Sequence, residues 1–266
     1  MAASSFASAS RALALLGIFA GPAAMAQDAV PARATFDLVR TRSTLSAGLP
    51  DGEANYLRGT WALAGGDVLR AELLDERKFG DHGGIAGLSY TAVLSPDWYG
   101  TGTVVGGVGG PNWANNRVDL QLSRKWLPNR QLVTSAAYYH AAFDNRRSDA
   151  GARLSAVLYL DAPVVLEAGV ILNVSQPGSI HSHMPYASAT LGREGVQYFS
   201  LRASRGTEAY QALGSQAQLV NFSSRSLGAI WKLWLGPRWG LNAQAEYYEN
   251  PTYHRSTLGA GLFVQW

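Results

Sequence analysis

Hydrophobic and polar residues alternate along most of the chain beyond its first few dozen positions. In segment 117–126, Val118, Leu120 and Leu122 fall on one side and polar residues stand between them. The final segment, 257–266, repeats this pattern. Because successive side chains of a strand point to opposite faces, such segments of about ten residues are typical of membrane-barrel strands, with lipid outside and a polar lumen inside.

The alternating segments number about fourteen, an even number as expected for a bacterial barrel. They lie at 34–47, 52–65, 68–79, 84–95, 98–109, 115–126, 131–143, 151–161, 164–175, 186–193, 196–205, 222–235, 239–249 and 255–266. The glycine-rich segment 98–109 is weakly patterned, so twelve strands is the alternative. We therefore predict an all-β fold, a transmembrane antiparallel up-and-down β-barrel whose N- and C-termini are periplasmic.

Short turns and longer polar segments alternate between the strands, which predicts one rim of tight turns and one rim of long loops. The short turns are centred on 65–67, 95–97, 128–130, 161–163, 193–195 and 236–238, and the predicted loops are 79–84, 110–116, 144–151, 176–185, 206–221 and 250–255. The 206–221 loop is long enough to fold into the lumen and close it.

The first 26 residues predict a cleavable signal peptide. Arg11 is followed by a short apolar run, and Ala24-Met25-Ala26 has the small-x-small pattern of a cleavage site. The alternative is an uncleaved anchor, for which the apolar run is short. Residues 27–33 are then a short periplasmic segment, and 34–266 form the barrel, which we expect in the bacterial outer membrane.

The composition of the chain argues against other classes of protein and so supports a membrane barrel. The chain has no cysteine, so disulfides and thiolate metal sites are absent. After the signal peptide no stretch of about 18 apolar residues occurs, which excludes a transmembrane helix. The net charge of +3 is too small and scattered to predict nucleic-acid binding. A secreted β-sandwich or a lipocalin-like barrel is the soluble alternative.

Aromatic residues gather at segment ends, as interfacial girdles require. They are Trp98, Tyr99, Trp113, Trp126, Trp234, Trp239, Tyr247 and Tyr248. The chain also closes on an aromatic residue, Trp266, where barrel-assembly machinery usually reads phenylalanine. We therefore expect that machinery, and outer-membrane lipid and lipopolysaccharide, among the partners.

A motif in the C-terminal part of the chain resembles a known family. Strand 196–205 leads into the sequence SRGTEAY, which contains Ser204, Arg205, Gly206, Thr207, Ala209 and Tyr210. This segment is similar to the corresponding region of the YaiO-type outer-membrane β-barrel family, and the resemblance covers about the C-terminal third. It implies a membrane barrel, with an association with envelope or exopolysaccharide systems. Arg205 and Gly206 have a structural interpretation as well, which is to shape the exit from strand to loop.

The inner face of the predicted barrel carries charges of both signs. The candidate lumen-lining residues are Arg58, Arg70, Glu72, Arg117, Asp119, Glu167, Arg202, Lys232 and Glu246. If these charges pair across strands, they brace or block the interior. If they segregate to opposite walls, they create a transverse field across a pore.

Catalytic, metal and cofactor sites are not predicted. His140 has serines available, but no nucleophile-elbow motif marks any of them as activated. His181 and His183 would lie on the same side of an extended loop, but two ligands without a nearby carboxylate do not make a metal site.

Three functions follow from these patterns. The leading hypothesis is a small-solute or saccharide channel, or an export-associated pore. The alternative is a non-conducting structural or assembly barrel that works with polysaccharide-export components. A lipid-modifying enzyme is the third hypothesis, supported only by the available serines and histidines.

Overall fold

A computed structural model describes residues 33–213 and 217–266. The predicted signal peptide and residues 27–32 lie outside the described residues. Fourteen strands form one closed barrel in which every strand is antiparallel to its neighbours and β1 pairs with β14. The predicted fold and the count of fourteen are thus confirmed. None of the described residues belongs to a helix that is long and apolar enough to cross a membrane.

The strands follow the chain order around the barrel. They are β1 (Ala34–Leu45), β2 (Gly52–Ala62), β3 (Val68–Lys78), β4 (Asp81–Val93), β5 (Trp98–Val108), β6 (Asn116–Trp126), β7 (Leu132–Ala142), β8 (Ser148–Tyr159), β9 (Val164–Gln176), β10 (Ile180–Arg193), β11 (Gln197–Ala212), β12 (Gln218–Gly236), β13 (Trp239–Glu249) and β14 (His254–Gln265). We call the rim that carries Ala34 and Gln265 the terminal rim, and the opposite one the distal rim.

The outer surface of the barrel is apolar because one face of each strand points away from the lumen. Leu120 is 60% exposed and Leu258 is 69% exposed, although both are large hydrophobic side chains. A soluble sandwich or lipocalin-like barrel would place this face in a core. Exposure of leucine and valine around the circumference instead fits a surface that contacts lipid.

The prediction of long loops on one rim is wrong. On the distal rim the connections are only 46–51, 79–80, 109–115, 143–147, 177–179, 213–217 and 250–253. Strand β10 begins at Ile180, within the predicted 176–185 loop, and β11 and β12 extend through most of the predicted 206–221 loop. Near the distal rim a strand can have polar residues on both faces, so alternation fades although the backbone pairing continues.

The seam between first and last strands is closed by both backbone and aromatic contacts. The Trp266 amide donates to the Ala34 carbonyl at 3.1 Å, and the Ala34 amide donates to the Trp266 carbonyl at 3.0 Å. On the outer face the Phe36 ring lies 5.4 Å from the stacked ring of Trp266 and 5.2 Å from that of Trp61. The terminal tryptophan is therefore a structural part of the seam.

The aromatic girdle contains only some of the residues expected there. Trp98, Trp126, Trp239 and Tyr247 are exposed on the outer face. Trp113, Trp234 and Tyr248 are buried, and Tyr99 faces the lumen beside the Lys125 ammonium group. The prediction is wrong for these four residues because position near a strand end does not tell whether a ring faces in or out.

Aromatic rings on the inner wall lie directly over glycines of neighbouring strands. Tyr139 is paired with Gly151, and Tyr186 with Gly169. A Cβ atom at Gly169 would stand 2.6 Å from the Tyr186 ring and 2.6 Å from the Leu154 carbonyl oxygen. The missing side chain lets the ring lie flat on the wall, an arrangement that stabilises sheets and fixes their register.

We expect Gly169→Ala to lower the free energy of unfolding by about 1–3 kcal/mol, because the new methyl group overpacks the wall beneath Tyr186. Urea unfolding of the refolded barrel in vesicles, followed by tryptophan fluorescence, measures the change. Gly228→Ala is the matched control, since a Cβ atom there meets no atom closer than 3.8 Å. Equal stability of Gly169→Ala and Gly228→Ala would contradict the packing argument.

Candidate functional site

All nine charged residues predicted to line the lumen lie on the inner face. They are Arg58, Arg70, Glu72, Arg117, Asp119, Glu167, Arg202, Lys232 and Glu246, and each alternates with residues of the outer surface. The strands place them at different heights around the wall. Their arrangement therefore depends on which neighbours the barrel brings within reach.

Six of these residues pair with one another. Arg117 makes a bidentate contact with Asp119 at 2.6 and 2.7 Å. Nε of Arg58 lies 3.5 Å from a Glu72 carboxylate oxygen. Arg202 lies 3.8 Å from Glu167. Each of these ion pairs joins residues of the same strand or of nearby strands. The charges are thus paired locally rather than segregated to opposite walls.

Two further pairs use partners that sequence reasoning missed. Lys232 lies 3.0 Å from Asp37, which also accepts a 2.7 Å hydrogen bond from the Asn242 amide. Glu246 accepts a 2.6 Å hydrogen bond from Arg255. Asp37 and Arg255 stand at inward positions of the first and last strands. Their alternation with outward residues could have identified them, but not their partners.

Two inner-wall arginines lack an acidic partner. Neither Arg70 nor Arg153 has a carboxylate within ion-pair distance in the described part of the chain. Arg153 donates instead to the Gln121 side-chain oxygen at 2.6 Å. These two guanidinium groups therefore have no direct ion pair on the inner wall, in the ranges that the structure describes.

A cavity of about 210 Å³ lies within the lumen toward the distal rim. Charged groups on its wall include Arg58, Arg202 and Arg255. Tyr56 and Tyr186 supply aromatic faces, and the Arg202 guanidinium lies 3.7 Å from the centre of the Tyr186 ring. The wall thus combines aromatic rings with hydrogen-bonding groups, a combination that suits polar organic solutes.

The distal end of this cavity is covered by the β11–β12 hairpin. Its residues Glu208, Ala209, Tyr210, Gln211 and Ala212 are all buried. In a strand at the rim of a barrel only alternate side chains would be covered. Burial of five consecutive residues means that both faces of the β11 arm are packed, so this arm of the hairpin folds inward at the mouth of the barrel.

A hydrogen-bonded group at Gln211 holds the hairpin to the distal end of the neighbouring strands β13 and β14. The Gln211 amide nitrogen donates to the Tyr253 hydroxyl at 2.5 Å, and its oxygen accepts from Tyr248 at 3.3 Å and Asn250 at 3.0 Å. On its other side, the Tyr210 hydroxyl donates to the Pro177 carbonyl at 2.5 Å. We call these contacts the hairpin latch.

Apolar packing extends the hairpin's contacts across the mouth. Leu213 and Leu219, near the hairpin tip, pack against a buried cluster of Phe79, Tyr248 and Tyr253. Phe79 belongs to the β3–β4 turn, five strands away from β12 around the barrel. The hairpin therefore packs against a cluster to which the β3–β4 turn also contributes a side chain.

The β5–β6 connection also folds inward. Trp113 is 1% exposed, and its indole nitrogen donates to the Glu76 carboxylate at 3.2 Å. Its ring lies against Gly83, where a Cβ atom would come within 2.6 Å of it. Trp113 thus narrows the lumen from the wall that faces the hairpin.

Arg147, in the β7–β8 connection, is a buried cation near the hairpin. Its guanidinium lies 3.6 Å from the centre of the Phe143 ring and 3.9 Å from Asp149. Burial lowers the pKa of Arg147 to about 10, against the opposing effect of Asp149. The residue remains charged at neutral pH and helps to pack the rim beneath the hairpin.

The SRGT motif lies within strand β11 and not at a strand exit, so that interpretation was wrong. Ser204 shares a 2.7 Å hydrogen bond with Ser226, and Arg205 faces outward opposite Arg225. A Cβ atom at Gly206 would lie 2.1 Å from the His183 carbonyl oxygen, so glycine permits close strand approach. Thr207 accepts a 3.1 Å hydrogen bond from the His183 amide.

The histidines do not gather into a reactive centre. His181 and His183 belong to strand β10 rather than a loop, and both are exposed. His140 is exposed on β7 and has no hydrogen bond to serine or carboxylate within the described ranges. Across residues 33–213 and 217–266, no three histidine, aspartate or glutamate side chains stand close enough to hold a metal ion.

Solved structures with the same architecture include several outer-membrane barrels. A bacterial polysaccharide outer membrane secretin has a TM-score of 0.54 at 11% identity, covering 89% of this chain and 99% of that chain. An outer membrane channel from Pseudomonas putida F1 has a TM-score of 0.53 at 10% identity, covering 91% and 100%. An anion-selective porin from Comamonas acidovorans has a TM-score of 0.51 at 8% identity, covering 89% and 99%. At these identities the likeness concerns the fold alone.

A comparison with models of known protein families identifies the family of this chain. No curated protein sequence matches the chain. The model of the YaiO membrane beta barrel domain, however, matches residues 35–211, which is more than half of the chain. The match begins in β1, so the expectation that the resemblance is confined to about the C-terminal third was wrong. The chain belongs to the YaiO family of outer-membrane β-barrels.

Proposed function

We propose that this protein is a gated outer-membrane channel for small polar solutes, including saccharides. The observation that carries the proposal is the inward-folded β11–β12 hairpin, which covers a cavity lined by charged and aromatic side chains. A barrel that served only as a membrane scaffold would need neither a polar cavity nor a latch of side-chain hydrogen bonds. In this proposal the hairpin acts as the gate on the distal side, where Thr207, Glu208 and Ala209 line the cavity.

The latch suits a reversible gate. Its hydrogen bonds join uncharged groups around Gln211, and the apolar cluster that contains Phe79 lies beside them. Each such hydrogen bond contributes about 1 kcal/mol, because water replaces it when the contact opens. A ligand or partner that binds the open state better can therefore shift the equilibrium.

The unpaired arginines give the proposed channel a preference for anions. Most luminal charges are neutralised by neighbours, whereas Arg70 and Arg153 have no carboxylate within ion-pair distance in the described ranges. Cations along a narrow path raise the local concentration of anions. Acidic saccharides and small organic anions are therefore the favoured solutes.

A non-conducting barrel of an envelope or exopolysaccharide system is the second candidate. The observation in its favour is the dense local pairing of luminal charges, which braces the wall, together with Trp113 and the hairpin inside the mouth. In this role the outer surface and the rims would bind export components. Conductance measurements separate the two functions.

Deletion of residues 208–219 should turn a silent barrel into a conducting one. The deletion removes the hairpin from the mouth and leaves three residues, 220–222, between the paired Thr207 and Ser223, a length suited to a hairpin turn. Planar-bilayer recording of the refolded protein should give discrete steps for the deletion variant and rare or no openings for the intact chain. Silence in both would exclude the channel and favour the structural barrel.

Gln211→Ala should raise the open probability of the intact chain at least about tenfold, because it removes three hydrogen bonds that hold the hairpin in place. Single-channel recording at fixed voltage measures this. Gln218→Ala, in the same hairpin, is the matched control because the Gln218 side-chain oxygen has no hydrogen-bond partner. Equal open probabilities in the two variants would argue against the latch.

In the 208–219 deletion background, Arg70→Gln with Arg153→Gln should abolish anion preference. The reversal potential in a KCl gradient is expected to move toward zero as the unpaired cations are removed. Arg225→Gln, on the outer face, serves as the control and should leave the reversal potential unchanged. A cation-selective parent pore would contradict the proposed solute class.

A further inference from the structure

A shallow groove crosses the outer face of strands β1–β5. It is lined by Leu38, Leu57, Leu73, Ala86, Gly106 and Val108. The first five form one continuous row of cross-strand neighbours. Small residues at Ala86 and Gly106 make the surface concave where leucines border it. The groove is apolar, and on a membrane barrel it faces the acyl chains of the bilayer.

A row of charged side chains lies just beyond the groove toward the distal rim. Arg42, Glu53, Arg77 and His82 are successive cross-strand neighbours on the outer face, and Arg40 stands one row closer to the groove. The side chains of Arg40, Arg42 and Arg77 are 71%, 80% and 67% exposed. Three guanidinium groups thus lie at the end of the apolar groove that is nearer to the distal rim.

The neighbouring carboxylates leave most N–H donors of these three arginines without a hydrogen-bond acceptor on the described part of the protein. Arg40 contacts Glu53 at 2.9 Å, but Arg77 lies 3.9 Å from that carboxylate, and Arg42 lies 3.9 Å from Asp51. Asp75 instead contacts His82 at 2.6 Å. Because each guanidinium has five N–H donors, most donors of the three arginines point to the surroundings.

The opposite wall lacks this arrangement. At similar distances from the distal ends of β8 and β9, the outward residues are Ala150, Ala152, Leu172 and Val174. Outward charges near the distal rim also occur on β11–β13, at Arg205, Arg225 and Glu249, but the row on β1–β4 is the one that stands above the apolar groove. A site that combines a local apolar groove with local guanidinium groups fits a ligand with the same two parts.

We propose that this face binds one molecule of lipid A, the phosphorylated glycolipid anchor of lipopolysaccharide, with a phosphate on Arg42 and Arg77 and an acyl chain in the groove. Guanidinium groups bind phosphate through paired N–H donors, which distinguishes this headgroup from an uncharged one. The assignment places the distal rim at the outer surface of the membrane, as expected for periplasmic termini. It is independent of whether the lumen conducts.

Native mass spectrometry of the refolded full chain in detergent tests the site, with lipid A, its dephosphorylated form and phosphatidylglycerol as probes. The unaltered chain should retain one lipid A about tenfold more tightly than phosphatidylglycerol, and dephosphorylation should abolish this preference. Arg42→Gln with Arg77→Gln should weaken lipid A binding by about tenfold. Gly106→Leu, which fills the groove, should also weaken it.

Matched controls separate a site from general adhesion. Gly102→Leu adds the same side chain to the outer face of β5 outside the groove, and Arg225→Gln removes an outward arginine from another wall. Both should bind lipid A as the unaltered chain does. Equal binding of lipid A and phosphatidylglycerol, or equal losses in the controls, would overturn the proposal. If a variant fails to fold, the comparison of lipid A with its dephosphorylated form on the unaltered chain still tests whether the phosphate is recognised.

Discussion

Closure of the backbone hydrogen-bond ladder between β1 and β14 is the constraint on which the rest of this structure depends. In a bilayer an unpaired edge strand would leave a row of amide and carbonyl groups without partners, at a cost of several kcal/mol for each group. The terminal residue takes part directly, because Trp266 exchanges backbone hydrogen bonds with Ala34 and stacks on Phe36. Once the ring is closed, each strand has one face toward lipid and one toward the lumen.

The enclosed face then has to accommodate charges and rings in limited space. Local ion pairs such as Arg117–Asp119 and Arg255–Glu246 keep most charges neutralised where they stand. Aromatic rings fit because glycines opposite them leave room, as at Tyr139 with Gly151. The same two devices, pairing and close packing, make the wall rigid. The hairpin, by contrast, is held mainly by hydrogen bonds between uncharged groups at Gln211.

Apolar and charged residues are unequally distributed around the outer face of the barrel. It is apolar along β8 and β9 but carries the row of arginines above a groove on β1–β4. A barrel whose only requirement was to remain in the membrane would need no such difference between walls. The two faces thus carry separate features, a covered polar cavity inside and a combined apolar and cationic surface outside, and each can be tested without the other.

The sequence by itself determined the barrel, a count of about fourteen strands and the inward position of residues such as Arg58 and Glu167, because a period of two follows directly from strand geometry. It also pointed to the family through the SRGT motif. Only the tertiary structure decided that β11 and β12 continue through most of the predicted 206–221 loop, that Trp113 and Tyr248 turn inward, and that Asp37 meets Lys232. Those features depend on register, on strand pairing beyond the membrane and on contacts between residues far apart in the chain, which local alternation does not encode.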